Sequence, residues 1–335
     1  MLTITTKESS MLTADTWPIA AALLPLGDAD PAVVPAARLA ERWRSDLLEV
    51  ADAGFEGVGL TDSWVRYGDL DARGLTALRD ALTETGLRAL SMSAIRRSVI
   101  DERDGDAHLA YAHRCIDAAA ELGVEVVSFG LHRALTAEQA KQQWFWTVEG
   151  HRDDPDDGDA WQRAVRRFRE LGTHAGEVGL VVSLEMYEHT YLGSAASSVR
   201  LVEEIGLDTV GLNPDIGNLV RLHEPVESWR MLLQATMPYA NFWHVKNYAR
   251  DEDAAAGWFS TTPSYLESGV IDFRSAVKIA IGAGFQGVIC TEHYGGDGLS
   301  MSAANRDYLR RILPRRDYEV GHSRVHQTSP ARVSS

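Results

Sequence analysis

The sequence predicts an α/β protein built as a single (β/α)8 TIM barrel, with extended loops at the carboxyl ends of its strands. An amphipathic helical stretch, a glycine and a short apolar run recur along the chain, most clearly in residues 53–60 and 283–290. Eight apolar runs of this kind can be traced, and no G-x-G-x-x-G motif follows the first of them. Eight parallel strands alternating with helices close into a barrel, whereas an open dinucleotide-binding sheet usually carries that glycine motif.

Most of the apolar runs begin just after a glycine, which can end the preceding helix in the left-handed conformation. The runs are continuously apolar, as is typical of parallel strands that are buried on both faces. The first helix is predicted at residues 36–53, between the first two strands. In chain order the predicted strands are 17–23, 55–60, 87–92, 124–129, 180–184, 207–212, 241–245 and 285–290.

The spacing of the units predicts two long connections and the limits of the domain. The excess length between the fourth and fifth strands predicts a loop or an extra helix at about 131–161, and a second long connection runs from 248 to 269. Both leave carboxyl ends of strands, where barrel enzymes build lids. The barrel is expected at residues 17–314, with poorly ordered terminal segments at 1–16 and 315–335.

Composition excludes several classes of partner. The formal net charge is −15, which disfavours nucleic acid and anionic membrane surfaces because both attract basic proteins. There is no apolar run long enough to span a membrane and no secretory signal at the N-terminus. Cys115 and Cys290 are interpreted as reduced core residues of a cytoplasmic protein, and no nucleotide cofactor is expected.

Polar side chains end four different strands. Glu185, Asp215, His244 and Glu292 each follow or close an apolar run, and the carboxyl ends of parallel barrel strands share one mouth. The three carboxylates, placed together beside the imidazole, would repel one another without a cation. Oxygen ligands with a single nitrogen favour Mn²⁺, with Mg²⁺, Co²⁺ or Zn²⁺ as alternatives.

At these residues the chain resembles the xylose-isomerase-like sugar isomerases and epimerases. The resemblance spans about 23–313 and is carried by Leu184-Glu185, by 215–218 and 244–247, and by 269–273 through 284–287 to Glu292. It implies that Glu185, Asp215, His244 and Glu292 hold the metal. In the ketose 3-epimerases of this family two metal-bound glutamates act as paired acid and base, a role that would fall to Glu185 and Glu292. Two positions depart from the pattern, Asn218 where a histidine is usual and Asn247 where an acid is common.

A narrower resemblance concerns residues 243–253 and 291–297, which are similar to the catalytic (alpha) subunit of bacterial C-glycoside deglycosidases. Those enzymes cleave the carbon–carbon bond between a 3-keto sugar and an aromatic aglycone and pair with a small all-β subunit. The resemblance implies a metal-dependent lyase acting on an aryl 3-keto glycoside. The alternative is a ketose 3-epimerase or aldose–ketose isomerase acting on a free sugar, and a third hypothesis is a non-catalytic sugar-binding barrel.

The lyase hypothesis needs a base, and His132 at the end of the fourth strand is the candidate because histidine titrates near neutral pH. Lys246 is expected to contact a substrate oxygen or to pair with a ligand carboxylate. Arg97 is a candidate substrate contact, with a solvated loop arginine as the alternative. Asp62 is interpreted as the N-cap of the next helix.

Aromatic residues in the two long connections suggest a planar substrate. Trp144 and Trp146 lie in the first connection and Trp258 in the second, beside Phe145, Phe259 and Tyr265. Such rings can stack on an aglycone, or they can attach the loops to the barrel. His293, next to Glu292, is a further candidate for substrate binding, with a supporting or surface role as the alternative, which is also the expectation for His189.

Overall fold

The computed structural model describes residues 11–26, 36–316 and 318–328 of the chain. Eight parallel strands form one sheet in the order β6-β5-β4-β3-β2-β1-β10-β7. The sheet is completed between β6 and β7 by a parallel bridge from Leu212 to Ala240 and by the side chain of Asn213, which accepts a hydrogen bond from the backbone N–H of His244. The architecture is therefore a nearly closed (β/α)8 barrel, as the sequence predicts.

The barrel strands lie within two or three residues of their predicted positions, and the remaining pair, β8 and β9, forms a separate antiparallel hairpin. The strands are β1 (Ile19–Ala22), β2 (Gly57–Thr61), β3 (Arg88–Ser93), β4 (Val126–Phe129), β5 (Val181–Glu185), β6 (Val210–Asn213), β7 (Phe242–Val245), β8 (Asn247–Asp253), β9 (Trp258–Ser264) and β10 (Val288–Thr291).

Helices cover the outside of the barrel. Several end at a left-handed glycine, including Gly86 at φ 71° and Gly123 at φ 71°, which confirms the helix stops predicted there. The α-helices are α1 (Ala36–Asp52), α2 (Ala72–Thr85), α3 (Gly105–Leu122), α4 (Gly158–Glu177), α5 (Ala195–Ile205), α6 (Gly217–Val220), α7 (Trp229–Thr236), α8 (Phe273–Gly282) and α9 (Gly298–Ile312). None of the described helices combines the length and apolar character required to cross a bilayer.

The apolar core has two layers. A small cluster of buried side chains fills the barrel interior, including Ala20, Val126, Val181 and Val288. A much larger cluster lies between the strands and the surrounding helices. Because interior residues alternate with helix-facing residues along each strand, the last interior position of a strand opens onto the mouth of the barrel.

Both long connections have structure. Residues 130–157, called the β4–α4 loop below, contain the 3-10 turns Gln139–Lys141 and Phe145–Thr147. The second connection folds into the β8–β9 hairpin, with Asn247 opposite Ser264 and Asp253 opposite Trp258.

The chain ends differ from the expectation of poorly ordered segments where the structure describes them. The Tyr318 hydroxyl donates to the carbonyl of Leu12, and the backbone N–H of His326 donates to the carbonyl of Asp208. The side chain of Gln286 joins both ends, accepting from the backbone N–H of Leu12 and donating to Tyr318. These hydrogen bonds order residues 11–16 and 318–328 against the barrel. Residues 1–10 and 329–335 lie outside the described part.

Candidate metal centre

The structure brings together the four residues predicted as ligands. Glu185, Asp215, His244 and Glu292 each offer one ligand atom, and these atoms all lie within 4.8 Å of one another. All four side chains are buried. The cluster occupies the mouth formed by the carboxyl ends of the strands, where barrel enzymes carry their active sites.

Strand register explains this convergence. In the barrel Glu185 lies opposite Asn213, and His244 lies opposite Cys290. Asp215 and Glu292 follow their strands by one or two residues, so that all four functional groups reach the same level. A turn places Asp215, since its backbone N–H donates to the carbonyl of Asn213 at 2.7 Å.

Several buried polar atoms of the cluster have no hydrogen-bond partner among the described residues, including Oδ1 of Asp215 and Nδ1 of His244. The His244 nitrogen lies 3.3 Å from Oε2 of Glu292 and 3.6 Å from Oδ2 of Asp215. Buried, unsatisfied acceptors are costly unless a cation or a donor compensates them. The donor set of three carboxylates and one imidazole therefore fits a hard divalent cation.

Lys246 provides the cationic side chain of the cluster. Its Nζ lies 2.8 Å from Oδ2 of Asp215 and 3.1 Å from Oε2 of Glu292. This is the predicted pairing with ligand carboxylates. The side chain is buried, and an ammonium group in this environment is held there by the charges it faces.

The two glutamates have opposite pKa shifts. Burial raises the pKa of Glu185 to about 7, an effect that the nearby His244 partly offsets. Burial would raise the pKa of Glu292 as well, but Lys246 and His244 outweigh it and lower that pKa below its ordinary value. Two carboxyl groups in one site whose pKa values are separated in this way can serve as an acid and a base.

Asn218, one of the two departures from the family pattern, supports the cluster directly. Its Nδ2 donates to Oε1 of Glu185 at 3.1 Å and to the carbonyl of Met186 at 2.9 Å. The other departure, Asn247, has a structural role, because its amide joins the hairpin to the carbonyls of Leu266 and Ile271.

His132 lies at the cavity over the cluster, but it does not titrate near neutral pH as the sequence prediction assumed. Burial, together with the charges of Arg96 and Lys246, holds the pKa of His132 well below its usual range. The ring stacks on Tyr187 with centroids 4.3 Å apart, and its buried Nδ1 has no hydrogen-bond partner among the described residues. A neutral imidazole can still accept a proton, although it is a weak base.

The structure changes the interpretation of two residues near the third strand. Asp62 does not cap a helix, since Asp71 caps α2. Instead, Asp62 accepts a hydrogen bond from Arg97 at 2.5 Å and another from the backbone of Ile95 at 2.9 Å. Arg97 is therefore occupied by an ion pair, while its neighbour Arg96 lines the cavity over the cluster.

The aromatic residues of the β4–α4 loop pack over the mouth. Trp144 and Trp146 stack with centroids 5.2 Å apart, and Nε1 of Trp146 donates to Thr261 of the hairpin at 3.0 Å. Trp144 also lines an open groove with Tyr265 and His293. Trp258 is different: it lies at the start of β9, is 50% exposed, and lines neither the groove nor the cavity over the cluster.

Sequence reasoning missed a buried ion pair beneath the loop. Arg221 donates to both carboxylate oxygens of Glu188 at 2.7 and 2.8 Å, and its guanidinium lies over the rings of Phe145 and Trp146. The one signal available was that Glu188 follows the end of β5 by three residues. Tyr187 and Tyr294, which line the cavity beside the cluster, share that signal because each follows a ligand glutamate by two residues.

Comparison with known proteins agrees with this geometry. A family model described as xylose isomerase-like TIM barrel matches residues 47–312. No curated protein matches the sequence. Among solved structures, a xylose isomerase-like TIM barrel protein from Mycobacterium smegmatis in complex with magnesium is 41% identical, with a TM-score of 0.84, over 90% of this chain and 98% of that one.

More distant structures share the fold. A 3-keto-D-glucoside 4-epimerase from E. coli is 18% identical, with a TM-score of 0.59, over 88% of this chain and 99% of that one. A D-allulose 3-epimerase from Methylomonas sp. is 14% identical, with a TM-score of 0.63, over 90% of this chain and 99% of that one. From the family match and the 41% identical relative, we conclude that the chain belongs to the xylose isomerase-like TIM barrel family.

Proposed function

We propose that this protein is a divalent-metal-dependent enzyme that moves the proton beside the ketone of a keto sugar, giving epimerisation or isomerisation. The observation that carries the proposal is the buried cluster of Glu185, Asp215, His244 and Glu292 at the mouth of the barrel. The epimerases among the structures of the same fold support this choice over the lyase suggested by the narrower sequence resemblance.

The four residues of the cluster would hold the metal. A divalent cation held by these residues would polarise the ketone and offset the negative charge that develops on its oxygen. The magnesium complex of the Mycobacterium smegmatis relative supports a hard cation. Manganese stays a prediction from the ligand set.

Glu185 and Glu292 would exchange the proton with the substrate. Glu292 has a lowered pKa, is ionised at neutral pH and can remove the proton from the carbon beside the ketone. Glu185, whose pKa is raised by burial, would return a proton to that carbon. Return to the opposite face gives the epimer, and return to the neighbouring carbon gives the isomer. Lys246 would donate to a substrate oxygen.

A second candidate function is the lyase reaction on an aryl 3-keto glycoside. The open groove lined by Trp144, Pro263, Tyr265 and Tyr294 favours it, because it offers aromatic surface beside the metal cavity. In that reaction the proton beside the ketone is lost, the bond to the aromatic ring breaks, and the ring leaves with a proton. His132 is the candidate base. The small all-β partner subunit stays a prediction of the sequence resemblance alone.

The test uses metal-loaded protein in D₂O with D-fructose, D-allulose, D-tagatose and an aryl 3-keto C-glycoside, followed by mass spectrometry and NMR. Epimerisation predicts deuterium on the carbon beside the ketone together with the epimeric product, and EDTA should abolish both. Glu185→Gln and Glu292→Gln should each lower the rate by about 10² to 10⁴. The surface variant Glu121→Gln is the control.

Other results would change the assignment. Release of the aromatic ring from the C-glycoside, abolished by EDTA, would establish the lyase instead. If the protein binds metal and yet incorporates no deuterium into any of these sugars or into their C6 carboxylates and 6-phosphates, and releases no aglycone, both enzyme proposals are wrong, and the non-catalytic sugar-binding hypothesis remains.

A further inference from the structure

Arg96 has an unusual backbone conformation at the mouth of the barrel. It follows β3 by three residues and has φ 55°, in the left-handed region that favours glycine. A non-glycine residue held there costs free energy, and such residues concentrate at functional sites. The half-buried side chain lines both the cavity over the metal cluster and an adjoining cavity.

The guanidinium of Arg96 contacts aromatic rings rather than a carboxylate. Its central carbon lies 4.7 Å from the ring centroid of Phe145 and 5.9 Å from that of Tyr187. One nitrogen donates a long hydrogen bond, 3.4 Å, to the carbonyl of Arg133. Within the described ranges, no carboxylate lies within ion-pair distance of Arg96, so most of its five donors are free.

The other cations around the mouth are each paired. Arg97 binds Asp62 at 2.5 Å, and Arg133 lies 3.4 Å from Asp153. Arg221 is neutralised by Glu188, and Lys246 by Asp215 and Glu292. Nothing in the described part of the chain neutralises Arg96 in the same way.

The formal charges of the site also leave Arg96 without a counter-charge. The three carboxylates of the cluster, Lys246 and one divalent cation sum to zero. Arg96 then leaves one positive charge facing the cavity. Because a charged group in a cavity of low dielectric is costly unless it is paired, a single negative charge on the ligand is the complement that the site lacks.

We propose that Arg96 recognises an oxyanion carried by the keto sugar, so that the substrate is an acidic sugar rather than a neutral one. This inference rests on the proposed function, because it takes the keto sugar to bind at the cluster. The planar guanidinium can donate two parallel hydrogen bonds to a carboxylate or to a phosphate. The rings of Phe145 and Tyr187 hold it on the cavity side while its remaining donors stay available.

The experiment measures binding by titration calorimetry, with magnesium-loaded and manganese-loaded protein. The ligands are D-fructose and D-tagatose, each compared with its C6 carboxylate (D-fructuronate and D-tagaturonate) and its 6-phosphate. At least one acidic form should bind about tenfold or more tightly than the neutral sugar, as a charge-assisted bidentate contact would give. The acidic form that binds more tightly identifies the oxyanion as a carboxylate or a phosphate.

Three variants locate the preference. Arg96→Met should remove it, and Arg96→Lys should retain part of it because the charge remains. The matched control is Arg200→Met, since Arg200 also stacks on an aromatic ring, Trp161 at 4.2 Å, but lies on α5 paired with Glu204. It should leave the preference unchanged. Thermal melting shows whether each variant folds. If Arg96→Met does not fold, the proposal is tested by the wild type alone, through its affinities for acidic and neutral sugars.

The opposite results overturn the proposal. Equal affinity of the wild type for neutral and acidic sugars would show that Arg96 only attaches the β4–α4 loop through Phe145. An equal loss of affinity for both classes in Arg96→Met would show the same. Deuterium exchange by the wild type keeps this test separate from the proposed function. Exchange with no charge preference overturns the Arg96 proposal alone, whereas neither binding nor exchange overturns both.

Discussion

Arg221 donates two hydrogen bonds to Glu188, at 2.7 and 2.8 Å, in a position where the arginine side chain has no exposed surface. The rings of Phe145, Trp146, Tyr187 and Tyr294 surround the guanidinium. The pair therefore joins the chain after β5 to the β4–α4 loop and to the residues after β10. A buried ion pair of this kind is costly to break from one side, because the remaining charge stays buried.

Removal of one partner should strongly destabilise the fold. Arg221→Met is expected to lower the free energy of unfolding by about 3 to 5 kcal/mol, measured by urea denaturation. The double variant Arg221→Met/Glu188→Met should recover much of the loss, since no unpaired charge remains. Arg44→Met, which breaks the exposed pair with Glu84, should cost about 1 kcal/mol or less. Equal losses in the buried and exposed variants would contradict this account.

The contact between Asn218 and Glu185 predicts an effect on metal affinity. Residues that orient metal ligands through hydrogen bonds typically contribute 10-fold to 100-fold to affinity, so Asn218→Ala should weaken Mg²⁺ or Mn²⁺ binding by about that factor. Calorimetry on EDTA-treated protein measures it directly. Asn305→Ala is the matched control, because Asn305 is also buried but accepts from the backbone of Leu266. It should lower stability and leave metal affinity unchanged. An unchanged affinity in Asn218→Ala would show that Glu185 is oriented by other contacts.

Asp153 predicts a pH dependence of stability. Burial raises its pKa from 3.8 to about 6, against the opposing effects of the Tyr191 backbone N–H and Arg133. Between these pH values the folded protein holds a proton that the unfolded chain has released. The contribution of Asp153 is therefore present below about pH 4 and is lost as the pH rises through 6. Asp153→Asn cannot titrate, so its stability relative to wild type should improve by roughly 1 to 3 kcal/mol between pH 4 and 7.

The measurement is urea unfolding of wild type and Asp153→Asn at several pH values. Asp272→Asn gives a control of opposite sign, because hydrogen bonds from Ser275 outweigh burial and lower the pKa of Asp272. Its stability relative to wild type should worsen as the pH rises to about 4 and should then stay nearly constant between about pH 5 and 7. A constant difference between wild type and Asp153→Asn across this range would show that Asp153 is ionised throughout.

The regular part of the structure could be predicted because its causes are local. Glycines that end helices, such as Gly86 and Gly123, and apolar runs between them determine the strands. Parallel strands in a barrel then place their carboxyl ends together, so Glu185 and Glu292 could be brought to one site from sequence.

The surroundings of the site depend on features that periodicity does not encode. The left-handed φ of Arg96 directs this residue, rather than Arg97, to the cavity, and a left-handed arginine has no sequence signature. The path of a long loop cannot be predicted from hydrophobic periodicity either. The sequence therefore did not distinguish Trp144, which reaches the mouth, from Trp258, which is exposed on the hairpin. Asp62 resembles a helix cap in sequence, but its partner Arg97 comes from another strand end.

The contact between Trp146 and Thr261 predicts how the site opens. The free volume over the cluster is about 20 Å³, room for about one water molecule, so a sugar needs more space than the closed site offers. The β4–α4 loop, whose Phe145 and Trp146 pack on Tyr294 of the cavity lining, is the segment that we expect to move. The buried indole N–H of Trp146 donates to Thr261 at 3.0 Å. Thr261→Val leaves that donor unsatisfied, at a cost of about 1 to 3 kcal/mol, and should favour local opening of the loop. Hydrogen exchange in peptides covering residues 139–150 should become about tenfold faster or more, with little change in β1 to β6.

Thr236→Val is the control, because Thr236 is also buried but donates within its own helix. Uniformly faster exchange across the barrel would mean that Thr261 supports the whole fold rather than the closed loop.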